Sequence, residues 1–231
     1  MMPHIGIVAC SAEGAALCYH TICVEGGEMV GGHGHPEVSM HTPNLAEYIA
    51  CLERGDMAGV GALMLASAHK LAGMGDDFLI CPDNTIHQAL PHVLPNSPLP
   101  WLHIAEVVAE AAVARGYKRL ALTGTIWLVD SDVYPDKLAG RGLALERPNP
   151  AERHEINRII MDELVKGVFT PDAIGTFQQI VGRLKKEGCD AVILGCTETP
   201  LIIDGTNSPL PILDSTRLLA RTALHRAAGN K

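Results

Sequence analysis

Two segments of this chain, more than a hundred residues apart, follow one short pattern, and this internal repeat restricts the possible folds. In residues 75–85 and 188–198, a glycine and an aspartate precede an apolar run, and small polar or reactive side chains follow it. When the first glycines are aligned, Asp83 falls opposite Cys196 without a gap. The repeat predicts two lobes, each of which presents one ionisable group to a shared cleft.

Charge and composition exclude several classes of function. The chain has 231 residues and a formal net charge of −8, which argues against a nucleic-acid partner or an anionic membrane surface. It contains no apolar run long enough to span a bilayer and no recognisable leader. Seven cysteines without metal-ligand spacing are typical of free thiols in a reducing compartment. We therefore expect a soluble, cytoplasmic protein.

A histidine cluster is the most obvious candidate for a metal site. It comprises His33, His35 and His41, and Gly34 and Pro36 lie among these residues. Glycine and proline are typical of a loop rather than of a preorganised ligand cage. We expect a solvated loop here and no bound metal.

Short apolar runs alternate with longer amphipathic segments, a pattern typical of an α/β protein with mostly parallel sheets flanked by helices. The predicted strands are 5–9, 37–41, 78–81, 119–122, 143–145, 191–194 and 210–213. The predicted helices are 15–24, 45–72 with a break near Gly55, 85–93, 104–115, 129–138, 150–165, 171–187 and 215–227.

These elements divide into two pseudo-symmetric lobes. We predict that the first lobe comprises residues 1–103 together with 212–231, and the second residues 104–211. The last strand and helix are assigned to the first lobe because they follow a proline-rich crossing like the one that ends near residue 100. The active site is expected in the cleft between the lobes.

Small and polar residues follow four of the predicted strands, where parallel α/β sheets bind their ligands. These segments are 10–14, 82–85, 123–125 and 195–198. Cys196 is placed just beyond a buried strand at a helix start, where the helix dipole lowers the pKa of a thiol. Cys196 is therefore a candidate base or nucleophile, although free cysteines are often simply buried core residues.

Two of these segments resemble motifs of a known family. The runs Gly195-Cys196-Thr197-Glu198 and Asn84-Thr85-Ile86-His87, together with the segment from Ile5 to Gly14 and the Thr123-Gly124-Thr125 turn, resemble the aspartate/glutamate racemase superfamily. The resemblance implies two pseudo-symmetric lobes, a homodimer and no cofactor. It also implies that two groups on opposite faces of an amino acid alternately remove and return the α-proton.

The chain departs from the family pattern at the first of these groups. In the family a cysteine usually precedes Asn-Thr-x-His, whereas here Asp83 precedes Asn84 and the nearest thiol is Cys81. Along an extended strand Cys81 and Asp83 point to the same side. The repeat favours Asp83, because it pairs Asp83 with Cys196 and Cys81 with the aliphatic Leu194. Both candidates remain open at this point.

The remaining site candidates are polar residues that bind substrate or cap helices. By resemblance, Glu198 orients Cys196 or assists proton transfer. His87 is assigned a packing or supporting hydrogen bond. The candidate substrate-binding residues are Ser11, Asn84, Thr85, Thr123, Gly124, Thr125 and Thr197.

The leading function is a cofactor-independent amino-acid racemase with Asp83, or Cys81, on one face of the substrate and Cys196 on the other. The expected substrate is aspartate, glutamate or a broader set. No arginine or lysine lies near a motif and the nearest cationic candidates are histidines such as His41, which favours neutral or broad-specificity substrates. One alternative is a decarboxylase or cis-trans isomerase of the same fold that uses Cys196 alone. Another is a non-catalytic small-molecule binding protein.

Overall fold

The computed structural model describes residues 2–229 and contains two four-stranded parallel sheets flanked by helices. The described residues form two compact units. One comprises the residues up to Val107 and those from Thr216 onwards, and the other comprises Val108–Ser215. The predicted α/β class and parallel sheets are confirmed. Within the described residues, no helix has the length and apolar character needed to cross a bilayer.

The first sheet has the strand order β2-β1-β3-β4. Its strands are β1 (Ile5–Val8), β2 (Val38–His41), β3 (Phe78–Ile80) and β4 (Trp101–Leu102). The central strand β1 is buried throughout and pairs in parallel with β2 and β3. An all-apolar central strand of this kind is typical of parallel sheets covered on both faces.

The second sheet repeats this order as β6-β5-β7-β8. Its strands are β5 (Arg119–Thr123), β6 (Ala144–Glu146), β7 (Ala191–Leu194) and β8 (Ile212–Asp214). Every neighbouring pair is parallel. The carboxyl ends of the strands in each sheet therefore lie along one edge of that sheet, where ligand sites of α/β folds are built.

The first unit has its own apolar core. It contains helices α1 (Ala12–Val30), α2 (Leu45–Glu53), α3 (Met57–Met74), α4 (Leu90–Val93), the first turn of α5 (Ile104–Ala114), and α10 (Ser215–Ala227) from Thr216. Side chains of β1, β3, α1, α5 and α10 form one buried cluster that includes Ile7, Ile22 and Leu219. Arg221 of α10 also makes a bidentate ion pair with Glu25 of α1. Helix α10 therefore packs within the first unit.

The second unit also has its own core. Besides α5 from Val108, its helices are α6 (Ile126–Val129), α7 (Pro135–Ala139), α8 (Pro150–Arg158) and α9 (Pro171–Lys186). Asn149 and Glu152 form a capping box at the start of α8, and Thr170 caps α9 before Pro171. Phe177, Val181 and other α9 side chains pack against β7 in the buried cluster.

The internal repeat has a structural basis at the start of the inner strands. Asp77 accepts a hydrogen bond from the backbone N–H of His4 at 2.7 Å, just before β1. Asp190 accepts bonds from the backbone N–H groups of Lys118 at 2.7 Å and Arg119 at 3.2 Å, at the start of β5. The repeated aspartates thus clamp the first strand of each sheet to the third. Their role is structural.

The sheet assignment predicted for the last strand was wrong. Strand β8 pairs with β7 in the second sheet, not with a strand of the first. The sequence contains a signal for this pairing, because Asn-Ser-Pro-Leu-Pro occurs at both 96–100 and 207–211. In both copies the serine hydroxyl donates to the carbonyl of the leucine two residues later. The two occurrences of this segment lead into β4 and β8, which are edge strands at equivalent positions of the two sheets.

Prolines and short turns account for most differences in the helices. The predicted helix 85–93 is a 3₁₀ helix, Thr85–Ala89, followed by α4, which has Pro91 in its first turn. The predicted helix 129–138 is two short helices, because Pro135 starts a second one. The predicted helix 150–165 ends as α-helix at Arg158 and continues as π- and 3₁₀-turns to Lys166.

The repeated glycines give a stability prediction. Gly188 has φ +95° and Gly75 has φ +93°, a left-handed conformation that disfavours a side chain. We expect Gly188→Ala to lower the free energy of unfolding by about 1–2 kcal/mol, measured by urea denaturation. The control is Gly175→Ala inside α9, where an added Cβ meets no atom within 4 Å and should stabilise the protein by about 0.5–1 kcal/mol. Equal effects of the two substitutions would contradict the conformational explanation.

Candidate active site

Asp83 lies beyond the carboxyl end of β3 in the first unit. The backbone N–H of Ile86 donates to Asp83 Oδ1 at 3.1 Å, so this carboxylate caps the following 3₁₀ helix. Asp83 is half-buried, whereas its neighbours Asn84 and Thr85 are buried. The carboxylate is therefore held by its own loop and retains some access to solvent.

His87 is fixed by the same loop. Its Nδ1 lies 2.6 Å from the backbone carbonyl oxygen of Asp83, and the backbone N–H of Ile104 donates to its Nε2 at 3.2 Å. The ring is buried, with 2% of the residue exposed. Both ring nitrogens are thus engaged by backbone groups, as expected for the supporting role predicted from the sequence.

Cys81 lies at the end of β3 in a fully buried position. Burial, with a smaller contribution from the charge of Asp83, raises the pKa of the Cys81 thiol well above its ordinary value. Its Sγ lies 3.9 Å from the Asp83 carbonyl oxygen. A thiol in this environment stays protonated at neutral pH and is a poor base.

Tyr48 is a residue of this region that the sequence analysis missed. It belongs to α2, is fully buried, and its hydroxyl has no hydrogen-bond partner among the described residues, although Ser67 lies nearby. Burial raises the pKa of Tyr48, and the charges of Cys81, Cys10 and Asp83 add to the shift. A tyrosine at an apolar position of an amphipathic helix is predicted to be a core residue. The sequence pattern therefore did not indicate that Tyr48 lies close to the two cysteines and the aspartate.

Cys196 lies directly beyond β7 in the second unit, with 9% of the residue exposed. Its thiol donates to Glu198 Oε2 at 2.9 Å, and the hydroxyl of Thr197 donates to the same oxygen at 2.7 Å. Glu198 is itself buried. The loop thus brings a thiol into contact with a buried carboxylate, and a hydroxyl of the same loop holds that carboxylate.

The end of β5 is closely joined to this loop. The hydroxyl of Thr123 donates to the carbonyl of Ile193 at 2.9 Å, and the Gly195 N–H donates to the Thr123 carbonyl at 2.8 Å. A Cβ on Gly195 would lie 2.7 Å from the Thr123 carbonyl oxygen and 2.5 Å from Leu128 Cδ2. Only glycine therefore fits before Cys196 without a shift of the backbone.

Two other predicted binding residues cap helices. Ser11 Oγ accepts from the N–H of Gly14 at 3.3 Å at the start of α1. Thr125 Oγ1 accepts from the N–H of Leu128 at 3.4 Å at the start of α6. Both lie at the carboxyl edge of their own sheet, so their positions at helix N-termini suit an anionic group.

Two basic side chains near the strand ends already have hydrogen-bond partners. His41, at the end of β2, accepts from Lys70 Nζ at 2.9 Å and lies 2.9 Å from the Ser67 hydroxyl. Burial, followed by the charge of Lys70, lowers the pKa of His41. Arg147 follows β6 and was not among the residues predicted from the sequence. It donates to the carbonyls of Val129 at 2.6 Å and Ser131 at 2.9 Å.

Metal binding finds no support in the described residues. No group of three or more His, Cys, Asp or Glu side chains within residues 2–229 could hold a metal ion. His35 instead approaches the backbone carbonyl of Pro36 at 2.8 Å. All seven cysteines are free thiols.

Solved structures of known proteins share this fold. The chain superposes with a TM-score of 0.90 on a putative Asp/Glu racemase from Yersinia pestis, at 24% identity and with 98% of this chain and 99% of that chain covered. With an aspartate racemase homologue from Pyrococcus horikoshii OT3, the TM-score is 0.83 at 28% identity, over 98% and 100% of the two chains. The fold is therefore that of the Asp/Glu racemase structures.

The sequence comparisons agree with the fold. Residues 5–223 match the family model described as Asp/Glu/Hydantoin racemase, and the chain belongs to this family. It is also 24% identical over 164 residues to a protein of Bacillus subtilis (strain 168) described as a broad specificity amino-acid racemase, covering 70% of this chain and 69% of that protein. The enzyme is accordingly an isomerase of the amino-acid racemase class, and the resemblance noted from the motifs is confirmed.

The contact around Gly195 gives a prediction for the Cys196 loop. We expect Gly195→Ala to destabilise the protein by roughly 1–3 kcal/mol because the backbone must move away from the Thr123 carbonyl. Activity should fall as well, since Cys196 is the next residue. Thermal unfolding and a racemisation assay measure the two effects. Gly205→Ala, which meets no atom within 4 Å, is the control, and normal behaviour of both variants would refute the close contact.

The buried state of Cys81 gives a second prediction. At pH 8, iodoacetamide should modify the half-buried Cys23 of α1 in the native protein, although burial raises the pKa of its thiol. Cys81 should stay unmodified because it is completely buried and its pKa is raised well above the ordinary value. Peptide mass mapping after timed quenching measures both sites, and labelling in denaturant provides the reference. Native labelling of Cys81 as fast as Cys23 would contradict this description of the first unit.

Proposed function

We propose that this racemase inverts amino acids at Cα without a cofactor, with Asp83 and Cys196 as its two acid–base groups. The observation that carries the proposal is the hydrogen bond from the Cys196 thiol to the buried Glu198 carboxylate. A thiol with such an acceptor can exchange its proton locally, which a catalytic acid and base requires. Glu198 is assigned the roles of orienting Cys196 and assisting this exchange.

Each direction of the reaction uses the two groups in opposite roles. For one enantiomer the Asp83 carboxylate accepts the α-proton, the electron pair is delocalised into the substrate carboxylate, and the Cys196 thiol donates a proton to the opposite face of Cα. For the other enantiomer the Cys196 thiolate is the base and protonated Asp83 is the acid. The two enantiomers have equal free energy in water, so kcat/KM is equal in both directions. The unlike groups should instead give unequal kcat values.

Asp83 is preferred over Cys81 as the first group. Complete burial and a raised pKa make Cys81 a poor base, whereas Asp83 is half-buried and lies in a loop beyond the strand end. The internal repeat also aligns Asp83 with Cys196. These observations support a carboxylate and a thiol, rather than two thiols.

The proposed substrate contacts come from the strand-end loops. Ser11, Asn84, Thr85 and Thr125 are assigned to the substrate carboxylate and ammonium groups. Thr123 and Thr197 donate their hydroxyls to groups of their own unit, so we assign them, with Gly124, to holding the loops.

We assign the enzyme a broad substrate specificity on the basis of this set of side chains. The pKa of His41 is lowered and its ring is hydrogen-bonded, and two carbonyls occupy Arg147. These side chains therefore offer no cationic partner to the distal carboxylate of a dicarboxylic substrate. The match to the Bacillus subtilis broad specificity racemase supports the same choice.

The test is proton NMR in D₂O with a panel of L- and D-amino acids, following loss of the Cα–H signal and the composition of enantiomers. We expect exchange coupled to inversion in the native enzyme. Cys196→Ser and Asp83→Asn should each slow inversion by about 10²–10⁴-fold, the usual contribution of a general acid or base. Cys23→Ser in α1 is the matched thiol control and should retain activity.

The outcomes separate the mechanisms. Inversion that survives Asp83→Asn but is lost in Cys81→Ser would transfer the first role to Cys81. Exchange without inversion in the native enzyme would remove the two-base mechanism. Release of carbon dioxide or isomerisation of an unsaturated diacid, without α-proton exchange, would identify a different reaction of the same fold.

A further inference from the structure

Two histidine rings accept hydrogen bonds from the first turn of α5. The backbone N–H of Ile104 donates to His87 Nε2 at 3.2 Å, and the N–H of Ala105 donates to His103 Nδ1 at 3.2 Å. The ring centroids lie 4.8 Å apart. The first N–H groups of a helix need acceptors, and here ring nitrogens provide them in place of the usual serine, threonine or aspartate.

The acceptor role of Nε2 decides the proton position on His87. A nitrogen that accepts a hydrogen bond carries no proton, so in the neutral ring the proton must be on Nδ1. Nδ1 lies 2.6 Å from the carbonyl oxygen of Asp83. His87 therefore donates from Nδ1 to Asp83 and accepts at Nε2 from Ile104.

A doubly protonated ring does not fit this arrangement. Its second N–H would point at the N–H of Ile104, and its positive charge would lie at the N-terminus of α5, where the helix dipole is also positive. His103 faces the same helix end. The neutral Nδ1–H tautomer is the form that satisfies both neighbours of His87.

The bond to the Asp83 carbonyl limits how the catalytic loop can move. The loop also contains the bond from the Ile86 N–H to the Asp83 carboxylate, so the main chain and the side chain of Asp83 are held from two directions. His87 links this loop to α5, seventeen residues further along the chain. A displacement of about 1 Å at a catalytic group can reduce a rate 10²-fold.

We propose that His87 is a positioning residue of the racemase, acting as a neutral Nδ1–H tautomer that ties the main chain of Asp83 to the N-terminus of α5. The proposal rests on the function assigned to Asp83 above. It assigns His87 no proton transfer with the substrate. The ring of His103 packs beside that of His87, with the centroids 4.8 Å apart.

Two substitutions separate the halves of this link. In His87→Asn the amide nitrogen occupies roughly the place of Nδ1 and can still donate to the Asp83 carbonyl. In His87→Gln the amide oxygen reaches roughly the place of Nε2 and can still accept from Ile104, but the donor to Asp83 is lost. We expect His87→Gln to lower kcat about 10- to 100-fold with little change in KM, and His87→Asn to retain most of the activity. His92→Asn, at an exposed position of α4, is the control.

The decisive measurement does not depend on activity. Long-range ¹H–¹⁵N correlation spectra of the native protein at pH 7.5 should show His87 with a protonated Nδ1 and an unprotonated Nε2, and the spectrum of His87→Asn assigns the signal. A protonated Nε2 would overturn the inference even if the enzyme is a racemase. Equal kcat values for the Gln and Asn variants would also overturn it. If no amino acid exchanges its α-proton, the proposed function fails, while the tautomer still decides whether the link exists.

Discussion

Parallel pairing of the inner strands is the interaction on which the rest of this structure depends. β1 pairs with β3, and β5 pairs with β7, so that the end of each first strand lies beside the end of each third. The candidate residues occur where these strands stop, at Ser11 and Asp83 in one unit and at Thr123 and Cys196 in the other. The aspartates at 77 and 190 bind the opposite ends of the same pairs, and thereby fix which residues emerge together at the functional edge.

The two candidate acid–base groups have different environments within this common scaffold. Cys196 is bonded to a buried carboxylate that also receives the Thr197 hydroxyl. Asp83 is held by the backbone N–H of Ile86 and, through its carbonyl, by His87. The candidate group of one unit is thus held by a side-chain acceptor, and that of the other by hydrogen bonds to its own loop. A scaffold that repeats its backbone can in this way support two unlike groups.

Much of the fold could be predicted because it is encoded locally. Apolar runs at β1, β3 and β7, and helix caps such as Thr170 before Pro171, depend on neighbouring residues only. Errors arose where local pattern is weak. Strand β4 has two residues, too few for a periodic signal, and the sheet of β8 depended on recognising the repeated Asn-Ser-Pro-Leu-Pro as an equivalent position. The end of α8 in π- and 3₁₀-turns has no simple sequence signature.

The sequence by itself determined the parallel α/β class, the internal repeat, the membership of a racemase family and the short list of candidate site residues, because periodicity and motifs are properties of contiguous residues. The tertiary structure decided the chemical environment of these residues. Burial raises the pKa of Cys81. Two backbone groups favour one tautomer of His87, and Lys70 and Ser67 are hydrogen-bond partners of His41. These properties depend on desolvation and on partners distant in the chain, and neither quantity is contained in the local order of residues.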